Sequence, residues 1–189
     1  MVWIISIFSY LVGSIPVGLI LGLLKKRDIR KEGSGNIGFT NVWRVLGIKY
    51  AIPVLVFDVL KGFLPVVIGI RFSEGIGVIA GLSAILGHSF SIFLKFKGGK
   101  GVATSCGVFL GLCPIETILA MCVFLIVLII SRYVSVGSLF TSLLLPIFIF
   151  IFSPDKKLVF GISIIAFLFI WIKHIPNIKR LIKGSELKI

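Results

Sequence analysis

The chain has 189 residues, of which 58% are hydrophobic and only 14% are charged, and its mean hydropathy is +1.16. A soluble globular domain carries about a quarter charged residues, so this composition excludes that class and indicates an integral membrane protein. The net charge of +13 does not indicate a nucleic-acid partner, because the basic residues lie between apolar runs and not on a polar domain.

Seven apolar runs predict an all-α, polytopic membrane protein with seven transmembrane helices, organised as one domain over residues 1–189. The first run has no basic segment before it and no small-residue cleavage site, so we expect a retained span. Glycine and proline interrupt it at 13–18, which indicates either a side that faces protein or a cavity, or close helix packing. The runs cover about residues 2–24, 51–70, 76–94, 102–115, 117–131, 136–152 and 158–172.

The distribution of basic residues predicts an N-terminus outside and a cytoplasmic C-terminus. In this orientation sixteen of the 20 Lys and Arg residues lie on the cytoplasmic side, as the positive-inside rule requires. Only Arg71, Lys156 and Lys157 lie outside, and Lys61 lies within a span. The glycine-rich, basic segments are therefore predicted to lie on or near one membrane face.

A loop rich in glycine and lysine, residues 97–101, separates two of the runs and reads Lys-Gly-Gly-Lys-Gly. Glycine lets successive N–H groups turn toward one point and lysine adds charge, so the loop is suited to hold an anion. It is not an NTPase P-loop, because Leu94 and Gly101 stand where that motif needs Gly and Ser or Thr. The alternative is a basic turn that anchors two helices at the headgroup level.

Residues 33–44 form a second constellation, Gly-Ser-Gly-Asn-Ile-Gly-Phe-Thr-Asn-Val-Trp-Arg. It supplies backbone N–H groups, hydroxyls, amides and a guanidinium within one short segment. A helix that begins near Gly38 would place Thr40 and Arg44 on one face at i, i+4, where both could contact one ligand. The alternative is a flexible loop followed by a helix cap.

The basic C-terminal segment, residues 173–186, is the third constellation. His174 and Asn177 stand at i, i+3 at the predicted membrane boundary, and both side chains can donate to phosphate. The alternative is an amphipathic segment that only anchors the chain to anionic lipid.

Few polar residues lie within the spans. Asp58 and Lys61 can neutralise each other at i, i+3, although ionisable groups in a membrane are also candidates for function. We interpret His88 mainly as a helix-interface histidine. Neither His is followed five residues later by an acid, because Phe93 and Lys179 occupy those places, so the His-x4-Asp pattern of one large class of glycerolipid acyltransferases is absent.

Taken together, these motifs resemble the bacterial acyl-phosphate:glycerol-3-phosphate acyltransferase family over nearly the whole chain and in the same order. The resemblance implies a multi-pass enzyme of the bacterial cytoplasmic (inner) membrane. It would transfer a fatty acyl group from acyl phosphate to the 1-hydroxyl of glycerol 3-phosphate, giving lysophosphatidic acid and phosphate, as the first acylation step of phospholipid synthesis. Phe39 and Ser91 depart from the Ala and Pro that are usual in the family.

The resemblance also implies which residues form the site. Ser34, Arg44 and Lys100 would be catalytic. The residues expected to bind substrate are Asn36, Gly38, Thr40, Gly98, Gly99, Gly101, Thr104, Ser138, His174 and Asn177.

The expected chemistry needs two phosphate-bearing substrates and no metal, cofactor or nucleic acid. Cationic side chains and loop amides would neutralise the two anions, and the acyl phosphate is already reactive, so positioning supplies much of the catalysis. We hypothesise that a substrate phosphate accepts the hydroxyl proton while Ser34 orients the hydroxyl. Membrane lipid is a further partner, and a soluble acyl-phosphate synthase is a candidate partner for the basic inner face.

Two other classes of function each account for part of the sequence. A small membrane transporter of an anionic solute would need polar residues along a path across the membrane, whereas only Asp58 and Lys61 lie deep in a span. A membrane scaffold with a basic lipid-binding face would explain the charge but not the two glycine motifs.

Overall fold

A computed structural model describes residues 1–189, which form α-helices and short connections without a β-strand. The prediction of an all-α fold is therefore confirmed. Two compact units, Met1–Gly111 and Leu112–Ile189, make up the chain. The prediction that residues 1–189 act as a single functional domain stays a prediction.

Most helices follow one another with few intervening residues, and the longest connection, residues 25–38, separates the second helix from the third. The first unit contains α1 (Val2–Ser14), α2 (Val17–Leu24), α3 (Phe39–Leu46), α4 (Ile48–Ile70), α5 (Glu74–Ser89), a 3-10 turn (Ile92–Leu94) and nearly all of α6 (Val102–Leu112). The second contains α7 (Pro114–Ser131), α8 (Val134–Phe152), α9 (Lys157–Lys173) and α10 (Ile175–Ile182).

Five segments are long and apolar enough to cross a membrane, so the chain is a multi-pass membrane protein. They are Val2–Leu24, Ile48–Ile70, Glu74–Leu94, Pro114–Ser131 and Val134–Phe152. A sixth is added if α9 and α10, which are bent by 53°, form one span. The run predicted at 102–115 forms a shorter helix, because Pro114 begins α7 at a position where its missing N–H costs nothing. The count of seven spans is not confirmed.

The first apolar segment is broken between α1 and α2. Pro16 has no N–H, and the carbonyls at the end of α1 find donors elsewhere in the unit. The Ser91 hydroxyl donates to the Ser14 carbonyl at 2.6 Å, and the Lys61 ammonium donates to the Ile15 carbonyl at 3.1 Å. The break therefore faces protein, and the glycines beside it also pack closely, so both interpretations that the sequence allowed apply.

Glycines allow very close helix contacts in the first unit. A Cβ at Gly13 would collide with the Ala84 backbone of α5, and a Cβ at Gly62 would collide with the Thr104 carbonyl of α6. Small residues let helix backbones approach in this way, and dispersion contacts then stabilise the pair. As a result α1 packs on α5, and α4 lies directly against the start of α6.

In the second unit, α8 packs against both α7 and α9. The Ser153 hydroxyl at the end of α8 donates to the buried Glu116 carboxylate at 2.6 Å. The Lys156 ammonium donates to the Leu112 carbonyl at 3.0 Å. These bonds fix the connection between α8 and α9 to the start of α7.

Candidate active site

The loop before α3 is organised by the buried amide of Asn41, which is only 1% exposed. Its Oδ1 accepts from the Ser34 backbone N–H at 2.7 Å and from the Ser34 hydroxyl at 3.1 Å. Its Nδ2 donates to the carbonyls of Ile29 and Glu32 at 2.8 and 3.1 Å. One neutral side chain thus holds the loop at three points and fixes the direction of the Ser34 hydroxyl.

Glycine is required in this loop where the backbone takes a left-handed turn. Gly33 has φ +59°, and a Cβ there would collide with Asn41 Oδ1. Gly38 then caps α3, which begins at Phe39. The predicted helix is therefore confirmed, and it carries Thr40 and Arg44 one turn apart on the same face.

The glycines of the 97–101 loop have a different role from the one that the sequence suggested. The Gly98 N–H donates to the Ser89 carbonyl and the Gly99 N–H donates to the His88 carbonyl, both at 3.1 Å. These two amides therefore hold the loop on the end of α5 and do not turn outward toward an anion. Both glycines are needed for close approach, since a Cβ at Gly98 would collide with the His88 carbonyl and one at Gly99 with the His88 imidazole.

Lys100 and its C-terminal neighbours lie between this anchored stretch and α6. Lys100 is partly buried, and Gly101 turns the chain into α6 with φ +83°. The hydroxyl of Thr104 is fully buried and has no hydrogen-bond partner in the protein. A buried hydroxyl without a protein partner is unusual, and contact with a ligand is one explanation.

The C-terminal segment is organised by Glu186, whose side chain is 4% exposed. Its carboxylate accepts from Asn177 at 2.7 Å, from Arg180 at 2.6 Å and from the Ser135 hydroxyl at 3.0 Å. Burial raises the pKa of Glu186, but the hydrogen bonds from Asn177, Arg180 and Ser135 outweigh burial and hold the pKa below its ordinary value of 4.5. The segment after α10 is therefore tied to α8 and α10 by an ionised acid.

The other predicted residues of the second unit have fixed orientations. His174 caps α10, is 3% exposed, and lies with Nδ1 at 2.8 Å from the Ile170 carbonyl. Because a carbonyl only accepts, Nδ1 carries a proton, and a neutral His174 then has its lone pair on Nε2. The Ser138 hydroxyl donates to the Val134 carbonyl at 2.9 Å, which leaves its oxygen as an acceptor.

A buried ionic cluster in the first unit was not among the predicted site residues. Lys61 Nζ lies 2.6 Å from Asp58 Oδ1, which confirms that the two residues neutralise each other at i, i+3. His88 Nδ1 lies 3.7 Å from the same oxygen. We call Asp58, Lys61 and His88 the Asp58 cluster.

The predicted site residues are distributed over both units. Ser34, Asn36, Gly38, Thr40, Arg44, Gly98, Gly99, Lys100, Gly101 and Thr104 lie in the first unit, and Ser138, His174 and Asn177 lie in the second. The two organising residues, Asn41 and Glu186, belong to the recognised motifs but were not predicted as site residues. A signal for Asn41 existed, because an Asn beside a glycine-rich loop readily bonds to nearby backbone.

The two departures from the family pattern have local partners in the structure. Phe39 packs against Trp43 with ring centroids 5.7 Å apart, so the larger side chain is accommodated on α3 itself. Ser91 supplies the hydroxyl that caps the Ser14 carbonyl at the break between α1 and α2. Both departures therefore change packing near the predicted site without removing a predicted site residue.

The sequence and the structure were compared with known proteins. The family model for glycerol-3-phosphate acyltransferase matches residues 3–184. A glycerol-3-phosphate acyltransferase of Trichlorobacter lovleyi is 47% identical, over 95% of this chain and 93% of that protein. One from Fusobacterium nucleatum is 46% identical, over 96% of this chain and 95% of that protein.

The fold is also similar to two crystal structures of PlsY (YgiH), an integral membrane glycerol 3-phosphate acyltransferase. The glycerol 3-phosphate form has a TM-score of 0.96 and 37% identity, and covers 100% of this chain and 95% of that one. The lysophosphatidic acid form has a TM-score of 0.93 and 36% identity, with the same coverage. The chain therefore belongs to the glycerol-3-phosphate acyltransferase family and is an acyltransferase of the membrane.

Proposed function

We propose that this enzyme transfers a fatty acyl group from acyl phosphate to the 1-hydroxyl of glycerol 3-phosphate, giving 1-acyl-glycerol 3-phosphate and inorganic phosphate. The observation that carries the proposal is the similarity, along the whole chain, to a protein crystallised in glycerol 3-phosphate and lysophosphatidic acid forms. The reaction is the first acylation step of phospholipid synthesis.

The acyl transfer exchanges one bond to the acyl carbon for another. The C1 hydroxyl oxygen of glycerol 3-phosphate attacks the acyl carbon and forms the ester, while the bond from that carbon to the phosphate oxygen breaks. The hydroxyl proton passes to a phosphate oxygen of the donor or of the acceptor, so no external acid or base is consumed. Arg44 and Lys100 neutralise the anionic charge that the two substrates bring together.

The hydrogen bond of Ser34 supports its role in orienting the acceptor. Because Asn41 Oδ1 can only accept, the Ser34 hydroxyl donates its proton to that oxygen. In the bound acceptor, the lone pairs of Ser34 accept a hydrogen bond from the C1 hydroxyl and orient its oxygen toward the acyl carbon, and the same proton leaves this hydrogen bond for a phosphate oxygen as the ester forms. Thr40, on the same face of α3 as Arg44, and the buried hydroxyl of Thr104 are further proposed contacts.

In the second unit we propose that His174 and Asn177 bind substrate phosphate, together with Ser138. One N–H of Asn177 bonds to Glu186, so this amide would contribute at most one N–H to phosphate. His174 would donate from Nε2 as an imidazolium, whereas the neutral ring described above would offer Nε2 as an acceptor. A His174→Ala variant separates these roles, since a general base affects turnover much more than substrate binding.

The topology that we propose has seven spans in the bacterial inner membrane, with α6 as a short fourth span. The N-terminus is outside and the C-terminus is cytoplasmic, because this orientation places most Lys and Arg residues inside. A fluorescent-protein fusion at the C-terminus tests the orientation. The C-terminal fusion is expected to fluoresce in intact cells. Fluorescence of an N-terminal fusion together with a dark C-terminal fusion would contradict the proposed orientation.

The donor is tested by incubating purified protein with glycerol 3-phosphate and one of three acyl donors: acyl phosphate, acyl-coenzyme A or an acylated carrier protein. Of the three donors, we expect only acyl phosphate to react, and it should give lysophosphatidic acid and inorganic phosphate in equal amounts. Product from a thioester donor but not from acyl phosphate would overturn the proposed donor while leaving the family assignment intact. Transport of glycerol 3-phosphate without acylation would favour the transporter.

A further inference from the structure

The Asp58 cluster joins the parts of the first unit that surround the 97–101 loop. Asp58 and Lys61 lie on α4, and His88 lies at the end of α5. Lys61 also donates to the Ile15 carbonyl at the break between α1 and α2. All three side chains are between 3% and 6% exposed, so the cluster is a buried ionic contact among three parts of the unit.

The cluster reaches the loop through His88. The Asp58 carboxylate faces Nδ1 of the imidazole at 3.7 Å, while Gly99 lies against the other side of the ring, near Nε2. The His88 carbonyl accepts the Gly99 N–H at 3.1 Å. His88 therefore contacts Gly99 with both its ring and its backbone, and Asp58 lies beside the opposite nitrogen of that ring, within ion-pair distance.

The C-terminal end of the loop leads into α6, which packs against α4, the helix that carries Asp58 and Lys61. Gly62, next to Lys61, lies directly under the Thr104 carbonyl of α6, where a Cβ would collide. The loop thus runs from α5, which Asp58 contacts through His88, to α6, which packs on α4 beside the cluster. Lys100 is the residue between these two attachments, directly after Gly99.

We propose that Asp58 and His88 are positioning residues, which place the Lys100 ammonium for phosphate by fixing the backbone of Gly99. The inference rests on the role proposed above for Lys100 as a phosphate ligand. A buried pair that only neutralised itself would need no third partner, whereas this carboxylate also contacts the imidazole on which the loop lies. A displacement of about 1 Å in a ligand-binding group is enough to cost large factors in binding or rate.

The test is a double-mutant cycle between His88 and Lys100. Binding of glycerol 3-phosphate and of inorganic phosphate is titrated calorimetrically in wild type, His88→Gln, Lys100→Ala and the double variant. We expect His88→Gln to weaken binding of at least one probe about tenfold in the wild-type background, and less than about twofold once Lys100 is absent. Equal factors in both backgrounds, or no effect of Lys100→Ala on either probe, would overturn the proposal.

The role of Asp58 is tested without leaving a buried charge alone. Asp58→Asn by itself leaves the Lys61 ammonium buried without its partner, which can prevent folding. The double variant Asp58→Asn with Lys61→Met removes both charges, and we expect it to weaken phosphate binding about as much as His88→Gln does. A double variant that binds both probes as wild type does would show that Asp58 is not a positioning residue.

A matched control separates positioning from general stability. Glu116 is also a buried acid, but its hydrogen-bonded partner is Ser153 and it lies in the second unit. Glu116→Gln is expected to lower the melting temperature and to leave phosphate binding unchanged. Because the titrations need no acyl donor, they report on His88 and Lys100 even if acyl phosphate proves to be the wrong donor.

Discussion

The two units organise their polar segments with different chemistry. In the first, the neutral amide of Asn41 both donates and accepts, and so holds three points of the loop before α3. In the second, the carboxylate of Glu186 only accepts, and so gathers donors from α8 and α10. An amide is suited to bind exposed carbonyls and N–H groups of one loop, whereas a carboxylate is suited to collect side-chain donors.

The difference has a consequence for the response to pH. Asn41 does not titrate, so its hydrogen bonds to the loop that carries Ser34 do not depend on pH. Glu186 does titrate, and its contacts with Asn177 and Arg180 depend on ionisation. The difference between the units can therefore be tested by giving Asn41 a charge and by removing the charge of Glu186.

The largest effect is expected from Asn41→Asp, which preserves shape but removes the two N–H donors. The carbonyls of Ile29 and Glu32 would then face a carboxylate, and each buried acceptor without its donor costs about 1–3 kcal/mol. We expect a loss of activity of about 100-fold or more and a clearly lower melting temperature.

A control on the same loop is Asn36→Asp. Its side-chain oxygen accepts from the Ile37 N–H at 2.9 Å, and an aspartate keeps that acceptor. The melting temperature of this variant is expected to stay near that of wild type. Equal loss of stability in the two variants would mean that any negative charge, and not the loss of donors, is the cause.

A smaller effect is expected from Glu186→Gln, which keeps an acceptor for Asn177 and Ser135 but loses the charge that Arg180 contacts. We expect a destabilisation of about 1 kcal/mol near pH 7, since Arg180 is partly exposed and its ion pair is screened. Activity should fall less than in Asn41→Asp.

The pH dependence of this difference gives a second readout. The folded-state pKa of Glu186 is lowered, so its stabilisation is complete above the ordinary value of 4.5 and is lost as pH falls through the lower folded value. Chemical denaturation of wild type and Glu186→Gln should therefore converge on acidification below 4.5. A gap that widens on acidification contradicts the assignment.

The smallest effect is expected from Asp28→Asn, in the loop before α3 that Asn41 holds. Asp28 contacts Arg30 at 2.8 Å, and the hydrogen bonds from Arg30 lower the pKa of this half-buried carboxyl to about 2. An ion pair with an exposed arginine contributes little, so activity and melting temperature should match wild type between about pH 5 and about pH 8. A marked loss would show that the surface of the loop, and not its buried amide, holds it.

Much of the fold followed from sequence because apolar length and glycine spacing are local signals. The all-α membrane fold and the start of α3 were predicted in this way, whereas the i, i+3 spacing of Asp58 and Lys61 left both an ion pair and a functional role open. The predicted fourth span is not confirmed, because a glycine-rich run ending at Pro114 forms a helix of only 11 residues.

The site residues that were chosen by residue type stay a prediction, and several of their contacts were not foreseen. Gly98 and Gly99 resembled an anion-binding loop, yet their N–H groups bond to carbonyls of α5 that lie nine and eleven residues earlier, and no local sequence pattern predicts such partners. The Asn41 amide reaches back twelve residues to Ile29, and Glu186 is contacted by Ser135 across 51 residues. Such contacts depend on tertiary packing, which a single sequence does not display.

The central proposal is that Arg44 and Lys100, from separate motifs of the first unit, act together on the substrate phosphates. Calorimetric titration of glycerol 3-phosphate into wild type, Arg44→Ala, Lys100→Ala and the double variant tests it directly. If both side chains contact the same phosphate, their losses should be non-additive by about 1 kcal/mol or more. Additive losses, to within about 0.5 kcal/mol, would show that the two cations act on separate groups and would contradict the account.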